Sequence, residues 1–262
     1  TWQNIRRRRR LEVEALARFV LGKSDHLIAG KREAAGVLRQ QGYAGPVTVL
    51  PQLGVDVGTF TPDAAGPRPE GDFVAGYVGR FAPEKGLDLL VRAAAEVENT
   101  RLLLVGSGPA QAQIESLAQS AGLRERLTIA PAVPHHEVPL YMRQMDVLVL
   151  PSRTTPQWKE QFGHVLIEAM ACGVPVVGSD SGAIPEVIGP AGLVFPEGDA
   201  GALAGSLRRL AGDPQERRRL AQMGLERVRA LYTHERIAAE TARLYRAIQA
   251  NTRRPAPSTS QR

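Results

Sequence analysis

The sequence is poor in the features that mark secreted or membrane-spanning proteins. Its 262 residues include a single cysteine, Cys172, which excludes an intrachain disulfide and fits a reducing compartment. No apolar run approaches the ~18–20 residues that cross a bilayer, which excludes an integral membrane protein. The chain begins at Thr1 with neither Met nor a secretory signal pattern, so we expect part of a longer, cytoplasmic protein.

Charge is spread unevenly along the chain, whose formal net charge is +6. Residues 51–200 hold 10 basic and 18 acidic residues, a net of −8, whereas residues 1–50 and 201–262 are basic, at +6 and +8. This acidic middle, with no zinc-finger spacing and no aromatic RNA-binding motif, argues against a nucleic-acid partner. The basic ends fit contact with an anionic lipid surface or an acidic partner.

Apolar strands alternate with helix-length segments from residue 72 onward. This alternation predicts an α/β fold, in which a Rossmann-like parallel sheet carries helices on both faces. Residues 1–50 have the pattern helix, strand, helix, strand, and residues 51–71, with four prolines and four glycines, predict an interdomain linker. The predicted strands of the main sheet are 73–78, 101–105, 127–130, 147–150, 175–178 and 193–195.

The first candidate motif is the turn GRFAPEKG at residues 79–86, directly after a predicted strand. Open parallel sheets bind ligands at the carboxyl ends of their strands. Arg80 offers a planar fork of donors and Lys85, one of four lysines in the chain, a compact charge, and both suit a phosphate. The alternative is a solvated turn with two incidental cations.

The second motif, VGSGP at residues 105–109, matches part of a dinucleotide fingerprint but lacks its third glycine. A tight strand-to-helix turn is the alternative explanation. An NAD enzyme would also place an acidic residue at the end of the next strand, about 20 residues on. That strand ends in Ala130 and Pro131, which disfavours a dehydrogenase.

The third motif lies in residues 150–182, where seven residues separate Glu160 from Glu168. Glu160 is predicted in a loop, with Gly163 near the first turn of the helix that carries Glu168. The free N–H groups at a helix start form an anion site, and carboxylates accept hydrogen bonds from sugar hydroxyls. Together they predict a sugar-nucleotide site, and the alternative is a surface acid and an unrelated helical acid.

Taken in order, GRFAPEKG, VGSGP and KEQFGHVLIEAMACGVPVVGSDSG resemble the retaining glycosyltransferases of family 4. That family has a GT-B fold, in which two Rossmann-like domains face each other across a cleft. The resemblance extends over about residues 1–250. It implies a remnant of the N-terminal acceptor-side domain at 1–50, a donor-binding domain at 72–233 and a C-terminal crossing helix at 234–250. The polar residues 251–262 predict a disordered tail.

The resemblance also implies roles for individual residues. Arg80 and Lys85 would bind the donor diphosphate, Glu160 would contact the transferred sugar, and these three are the catalytic candidates. Glu168 would bind the ribose hydroxyls, and Gly106 and Val133 would lie near the base. The implied donor-binding set is Gly79, Arg80, Lys85, Gly106, Val133, Glu160, Phe162, Gly163, His164, Val165, Leu166 and Glu168.

Cleavage of a sugar from a nucleoside diphosphate leaves extra negative charge on the departing phosphate. Arg80, Lys85 and the helix N-terminus could stabilise that charge without a metal. The sequence has no DxD motif and no clustered His/Cys ligand set, and His135 and His136 are interpreted as a helix start instead of a metal site. The resemblance implies retention without a metal, and we expect no cofactor.

The sequence departs from the family on the acceptor side. A complete N-terminal domain and its glycine-rich loop are missing, and Gln3 stands where many relatives carry a histidine. An amide can position a hydroxyl but cannot act as an acid or base. We expect a sugar or lipid-linked acceptor. The five arginines at 6–10 are either a solvated helix start or a peripheral contact with anionic lipid on the inner face of the membrane.

Two further residues lie close to the third motif. Trp158, beside Lys159, either faces the cleft or packs the loop. Cys172 stands at the predicted end of a helix and is interpreted as a small buried residue, not a nucleophile.

Three functions fit these motifs. The first is a hexosyltransferase that uses a nucleotide-diphosphate sugar in cell-surface polysaccharide or glycolipid synthesis. The second is a module that binds a nucleotide sugar without turnover, and the third is a GT-B epimerase or phosphorylase. The motifs leave the base, the sugar and the acceptor open.

Overall fold

Two compact units make up the computed structural model, which describes residues 10–62 and 71–252. The first unit contains residues 10–54 and 231–252, and the second contains residues 55–230 apart from the undescribed stretch. Gln3, the arginines before residue 10, much of the predicted linker and most of the predicted tail lie outside the described residues. In the described ranges, every helix is too short or too polar to cross a bilayer.

The first unit pairs two short parallel strands with helices. Leu27 lies opposite Val47 in this pairing. Both strands contain β-branched or branched aliphatic residues, and Gly42 ends the second helix with a positive φ of 89°. The elements of this unit are α1 (Arg10–Lys23), β1 (Leu27–Ala29), α2 (Arg32–Gln40), β2 (Val47–Val49) and α10 (His234–Thr252).

The second unit is built on a six-stranded parallel sheet in the order β5-β4-β3-β6-β7-β8. Its central strands are nearly continuous apolar runs because helices cover both faces of such a sheet. The chain proceeds outward from β3 to β5 and then returns to β6, which pairs with β3. The strands are β3 (Phe73–Val78), β4 (Thr100–Val105), β5 (Leu127–Ala130), β6 (Val147–Leu150), β7 (Val176–Ser179) and β8 (Gly192–Phe195).

The reversal of direction between β3 and β6 is a topological switch point, where loops on the two sides diverge and leave a crevice. Helices flank the sheet, and α3 packs against α8. α3 buries six apolar residues of its nine. The helices of this unit are α3 (Leu87–Ala95), α4 (Gln111–Ser120), α5 (Val138–Met142), α6 (His164–Ala171), α7 (Ile184–Ile188), α8 (Ala200–Gly212) and α9 (Pro214–Leu231).

The predicted α/β fold class is confirmed. Three of the six predicted strands, 73–78, 127–130 and 147–150, match β3, β5 and β6 residue for residue. The sequence predicted no helix at α7, because its five residues make little more than one turn and show no clear helical periodicity. The 3-10 turn His135–Glu137 directly precedes α5, where the sequence predicted the start of a helix.

Cys172 ends α6 and is 4% exposed, as predicted for a small buried residue. Burial raises the pKa of its thiol to about 12. Because the thiolate is the reactive species, we expect alkylation by iodoacetamide at pH 8 to be roughly 1,000-fold slower than for an exposed cysteine. Mass spectrometry should find the native chain unlabelled and the urea-unfolded chain labelled once. Rapid labelling of the native chain would contradict this packing.

Candidate functional site

An ion pair crosses the switch point of the sheet. The turn at residues 79–86 follows β3, and the loop at residues 151–163 follows β6, so both stand at carboxyl ends of adjacent strands. Lys85 Nζ lies 2.8 Å from Glu160 Oε2, with side-chain exposures of 20% and 11%. A lysine and a carboxylate 75 residues apart in sequence therefore meet where open α/β sheets bind ligands.

Both members of this pair are held by further contacts. Ser152 is buried, and its Oγ donates to Glu160 Oε2 at 3.1 Å. Ser179 Oγ in turn donates to the carbonyl of Ser152 at 2.6 Å. Lys85 Nζ lies 4.5 Å from the centroid of the Trp158 ring, a cation–π distance. An ammonium has three donors, so Lys85 can keep Glu160 and still bind an anion.

The backbone of the first turn is fixed by a buried tyrosine. Tyr77 OH donates to the carbonyl of Arg80 at 2.9 Å. Burial, together with the nearby Glu160 and Glu84 carboxylates, raises the pKa of Tyr77 well above its ordinary value, so the phenol keeps its proton. The Arg80 guanidinium is 64% exposed and pairs with Glu84, at 2.6 Å.

Two glycines let backbone segments touch at this end of the sheet. Gly106 has φ 139°, and a Cβ there would lie 2.0 Å from the carbonyl oxygen of Gly79. Gly182 has φ 62°, and a Cβ there would lie 2.0 Å from the carbonyl oxygen of Glu160. Ala183 N also donates to that carbonyl at 3.1 Å. The backbone around Glu160 therefore rests directly on the turn after β7.

A second cluster surrounds Glu168, one turn into α6. Its Oε1 lies 2.7 Å from His135 Nε2 and 2.9 Å from His164 Nδ1. The Phe60 ring packs 4.9 Å from the His135 ring. Burial alone would raise the pKa of Glu168, but hydrogen bonds from His164 and His135 outweigh it and lower that pKa. Glu168 is therefore an ionised, oriented carboxylate at neutral pH.

The loop after β6 is tied to the rest of the second unit on both sides. Thr154 donates to Glu197 through its backbone N–H at 2.6 Å and through its hydroxyl at 2.8 Å. Arg153 pairs with Asp88 on α3 at 2.7 Å. These contacts fix the segment that leads to Glu160, and they favour a preformed crevice.

A family model described as glycosyl transferases group 1 matches residues 61–227 of the chain. The chain belongs to this family. The match covers nearly all of the second unit, so both carboxylate clusters and the crevice at the switch point lie within the part of the chain that matches the family.

The chain is similar to several characterised glycosyltransferases. It is 35% identical over 202 residues to a GDP-mannose-dependent alpha-(1-6)-phosphatidylinositol monomannoside mannosyltransferase of Mycolicibacterium smegmatis, covering 69% of this chain and 51% of the relative. It is 33% identical over 178 residues to alpha-D-kanosaminyltransferase of Streptomyces kanamyceticus, covering 66% and 45%. The chain thus spans about half the length of the curated relatives it matches.

Among solved structures, sucrose-phosphate synthase of Thermosynechococcus elongatus has a similar fold. Its TM-score to this chain is 0.80 at 35% identity, covering 95% of this chain and 64% of that one. Structural neighbours of this kind are GT-B glycosyltransferases, in agreement with the fold implied by the sequence resemblance.

The glycosyltransferase structure brings some of the predicted site residues together. Lys85 meets Glu160, His164 meets Glu168, and Gly106 packs on Gly79. Arg80 shares the first turn but pairs with Glu84. The ligand roles assigned to all of these residues stay predictions.

The remaining predicted residues lie around the start of α6 and after β5. Gly163 precedes α6 with φ 78°, and the Phe162 ring lies 6.3 Å from the His164 ring. Leu166 is fully buried, so its side chain belongs to the core and its backbone alone could line a ligand. Val133 is half-buried in the loop that follows β5, and Val165 is half-buried in the first turn of α6.

Sequence reasoning did not name Ser152 for the candidate site, and it left the contacts of Trp158 and His135 open. Ser152 lies two residues after the apolar strand β6, which is the one local signal that could have marked it. Trp158, left between two interpretations, packs on Lys85. His135 begins a 3-10 turn as interpreted, and folding also brings it close to His164 and Glu168. These residues are far apart in sequence, so spacing could not reveal them.

Proposed function

We propose that the second unit binds a nucleotide-diphosphate sugar and that the whole protein transfers the sugar to an acceptor with retention, as a family 4 hexosyltransferase. The observation that carries this proposal is the Lys85–Glu160 ion pair at the switch point. The pair places a cation, which can bind a diphosphate, beside an oriented carboxylate, which can contact the attached sugar. The names of the relatives, among them a GDP-mannose-dependent mannosyltransferase, support the same donor class.

In this proposal the bond between the sugar and the diphosphate breaks, and its electron pair stays on the departing phosphate. Lys85 and the N–H groups at the start of α6 stabilise that charge. Glu160 contacts the transferred sugar through its carboxylate, which Ser152 and Lys85 orient. Because Lys85 and these N–H groups stabilise the departing phosphate, the proposed reaction needs neither a metal nor a cofactor.

Glu168 is proposed to bind the ribose hydroxyls of the donor. Both imidazoles contact its Oε1, so the other carboxylate oxygen, Oε2, is the acceptor we assign to a hydroxyl. A buried carboxylate with a lowered pKa stays ionised and accepts strong hydrogen bonds. Gly106 and Val133, which follow β4 and β5, are proposed to lie near the base.

The acceptor is proposed to be a sugar or a lipid-linked sugar, in the synthesis of a cell-surface polysaccharide or glycolipid. The Mycolicibacterium relative carries phosphatidylinositol monomannoside in its name, which supports a lipid-linked acceptor. The arginines at 6–10 would then contact anionic lipid on the cytoplasmic face of the membrane. Because the chain spans about half of its relatives, donor binding is what we assign to this chain itself, and transfer to the whole protein.

Tryptophan fluorescence tests the donor site directly. The sequence has two tryptophans, so Trp2→Phe leaves Trp158, which packs on Lys85, as the single reporter. We expect one of UDP, GDP or ADP, or its sugar conjugate, to change Trp158 emission saturably. The same ligand at about 100 times its Kd should stabilise the chain by about 2.7 kcal/mol in thermal melts.

Glu168→Gln should weaken that binding about tenfold, since it removes a charge-assisted hydrogen bond. Glu137→Gln, a nearby exposed acid, is the matched control and should bind as the parent does. Absence of any fluorescence or thermal response to all three nucleotides and their sugars would refute donor binding by this unit.

A further inference from the structure

Three metal-ligating side chains converge in the second unit. His135 stands after β5, while His164 and Glu168 are four residues apart on one face of α6. One ligand atom from each lies within 4.8 Å of the other two. The sequence separates His135 from the other two, so the fold, and not a local motif, creates this cluster.

The donor set of this cluster suits a transition-metal ion of the zinc type. Two imidazole nitrogens and one carboxylate oxygen are the protein ligands of several open zinc sites. Zinc requires metal–ligand distances of about 2.0–2.2 Å in a tetrahedral arrangement, which separates ligand atoms by roughly 3.4 Å. The two nitrogens lie 2.7 and 2.9 Å from the carboxylate oxygen, so each must move about 0.5–0.7 Å away from that oxygen.

The surroundings permit that small movement. The His135 side chain is 67% exposed, so its ring can turn toward an ion while the Phe60 ring supports one face. Glu168 is 7% exposed and anchored in α6, which gives the site one fixed ligand. To bind a cation, each imidazole would present the lone pair of the ring nitrogen that now faces Glu168. The exposed side of His135 leaves a coordination position open to water.

We propose that His135, His164 and Glu168 form a binding site for one zinc-type divalent cation. While this cation is bound, it prevents the donor from binding. Zinc on Glu168 Oε1 would lie directly beside Oε2, the oxygen that the proposed function assigns to the donor ribose, and would neutralise part of the charge on that carboxylate. The ion therefore acts as a competitor of the nucleotide and takes no part in the transfer reaction. The cation site rests on the cluster alone, whereas the competition rests on the proposed function.

Metal titration of the tag-free chain, without any nucleotide, tests the site. We expect saturable binding of one Zn²⁺ per chain by calorimetry, and visible absorption from bound Co²⁺ typical of a low-coordinate site. His135→Gln keeps an N–H donor for Glu168 but removes the metal-binding nitrogen. Loss of an outer-shell partner already costs about 10–100-fold in metal affinity, so this variant should lose at least that much.

His136→Gln is the matched control, because His136 is the adjacent, 75% exposed histidine outside the cluster. It should bind zinc as the parent does. His164→Gln should weaken binding as His135→Gln does, which keeps the test decisive if either variant folds poorly. Equal zinc affinity in the parent, His135→Gln and His164→Gln, or no saturable binding at all, overturns the site.

A second titration in the presence of the nucleotide that binds best separates the two proposals. Competition between nucleotide and zinc supports both. Zinc binding that nucleotide does not affect supports the metal site and overturns the proposed competition between the two ligands.

Discussion

Replacement of Lys85 with Met is expected to weaken binding of a nucleoside diphosphate to this chain about 10- to 100-fold. A hydrogen bond to a charged group contributes about 1.5–3 kcal/mol, and 1.4 kcal/mol corresponds to tenfold in affinity. Lys85 is 20% exposed and is fixed by Glu160 and Trp158, so little water screens it and little ordering is needed on binding. Calorimetric or fluorescence titration measures the effect.

Lys159→Met is the matched control, because it removes one positive charge from the neighbouring loop after β6 and keeps both members of the pair. We expect a change of less than about threefold there, as for a rim charge that acts at a distance. If both variants lose equal affinity, the loss comes from the lower positive charge of the chain and not from the position of Lys85. Lys85→Arg should recover part of the affinity, since it restores the charge but not the compact ammonium.

Loss of Lys85 also leaves the Glu160 carboxylate without its cation at 11% exposure. The double variant Lys85→Met with Glu160→Gln separates this stability effect from the binding effect. Urea unfolding of the single variant should show a loss of stability that the double variant partly recovers, because an unpaired buried charge costs more than the missing pair. Donor affinity should stay low in both.

The sequence predicted the fold well for a physical reason. Strands of a parallel sheet that is covered on both faces are nearly unbroken apolar runs. A run such as Val147–Leu150 therefore predicts a buried central strand. Glycine and proline mark the intervening turns, which locates the ends of the strands. Short elements such as Ile184–Ile188 escape, because one helical turn has no period to detect.

The sequence named individual residues of the candidate site but not the contacts between them. Lys85 and Glu160 were both named from turns at strand ends, but their pairing depends on β3 and β6 being neighbours. Arg80 was given the same role as Lys85, and its exposed guanidinium pairs with Glu84, four residues away, so its contact with a diphosphate stays a prediction. Residue type and spacing identify candidates, whereas the direction of a side chain depends on its nearest partner in space.

The charge balance of the crevice follows from these connections. Lys85 is neutralised by Glu160, and Glu168 adds a negative charge that two histidines moderate. A diphosphate therefore does not meet a surplus of positive charge, and it must share Lys85 with Glu160. Binding thus depends on the placement of Glu160 as much as on the lysine, and the backbone that supports Glu160 becomes the sensitive point.

Gly182→Ala is expected to destabilise the second unit by about 2–5 kcal/mol and to weaken donor binding at the same time. The φ of 62° costs an alanine about 1–2 kcal/mol, and the added Cβ would lie 2.0 Å from the carbonyl oxygen of Glu160. Overpacking of this kind costs about 1–3 kcal/mol, because backbone must move to relieve it. The movement displaces Glu160 from Lys85.

Gly122→Ala provides the matched control, since Gly122 has a similar φ of 72° but open space where the Cβ would lie. It should cost about 1–2 kcal/mol from backbone conformation alone and leave nucleotide affinity unchanged. Urea unfolding and nucleotide titration of the two variants measure the difference. If the two variants lose equal stability and both retain affinity, the contact between Gly182 and the Glu160 backbone does not position the carboxylate. A loss of affinity confined to Gly182→Ala would instead link the turn after β7 to the ion pair at the switch point.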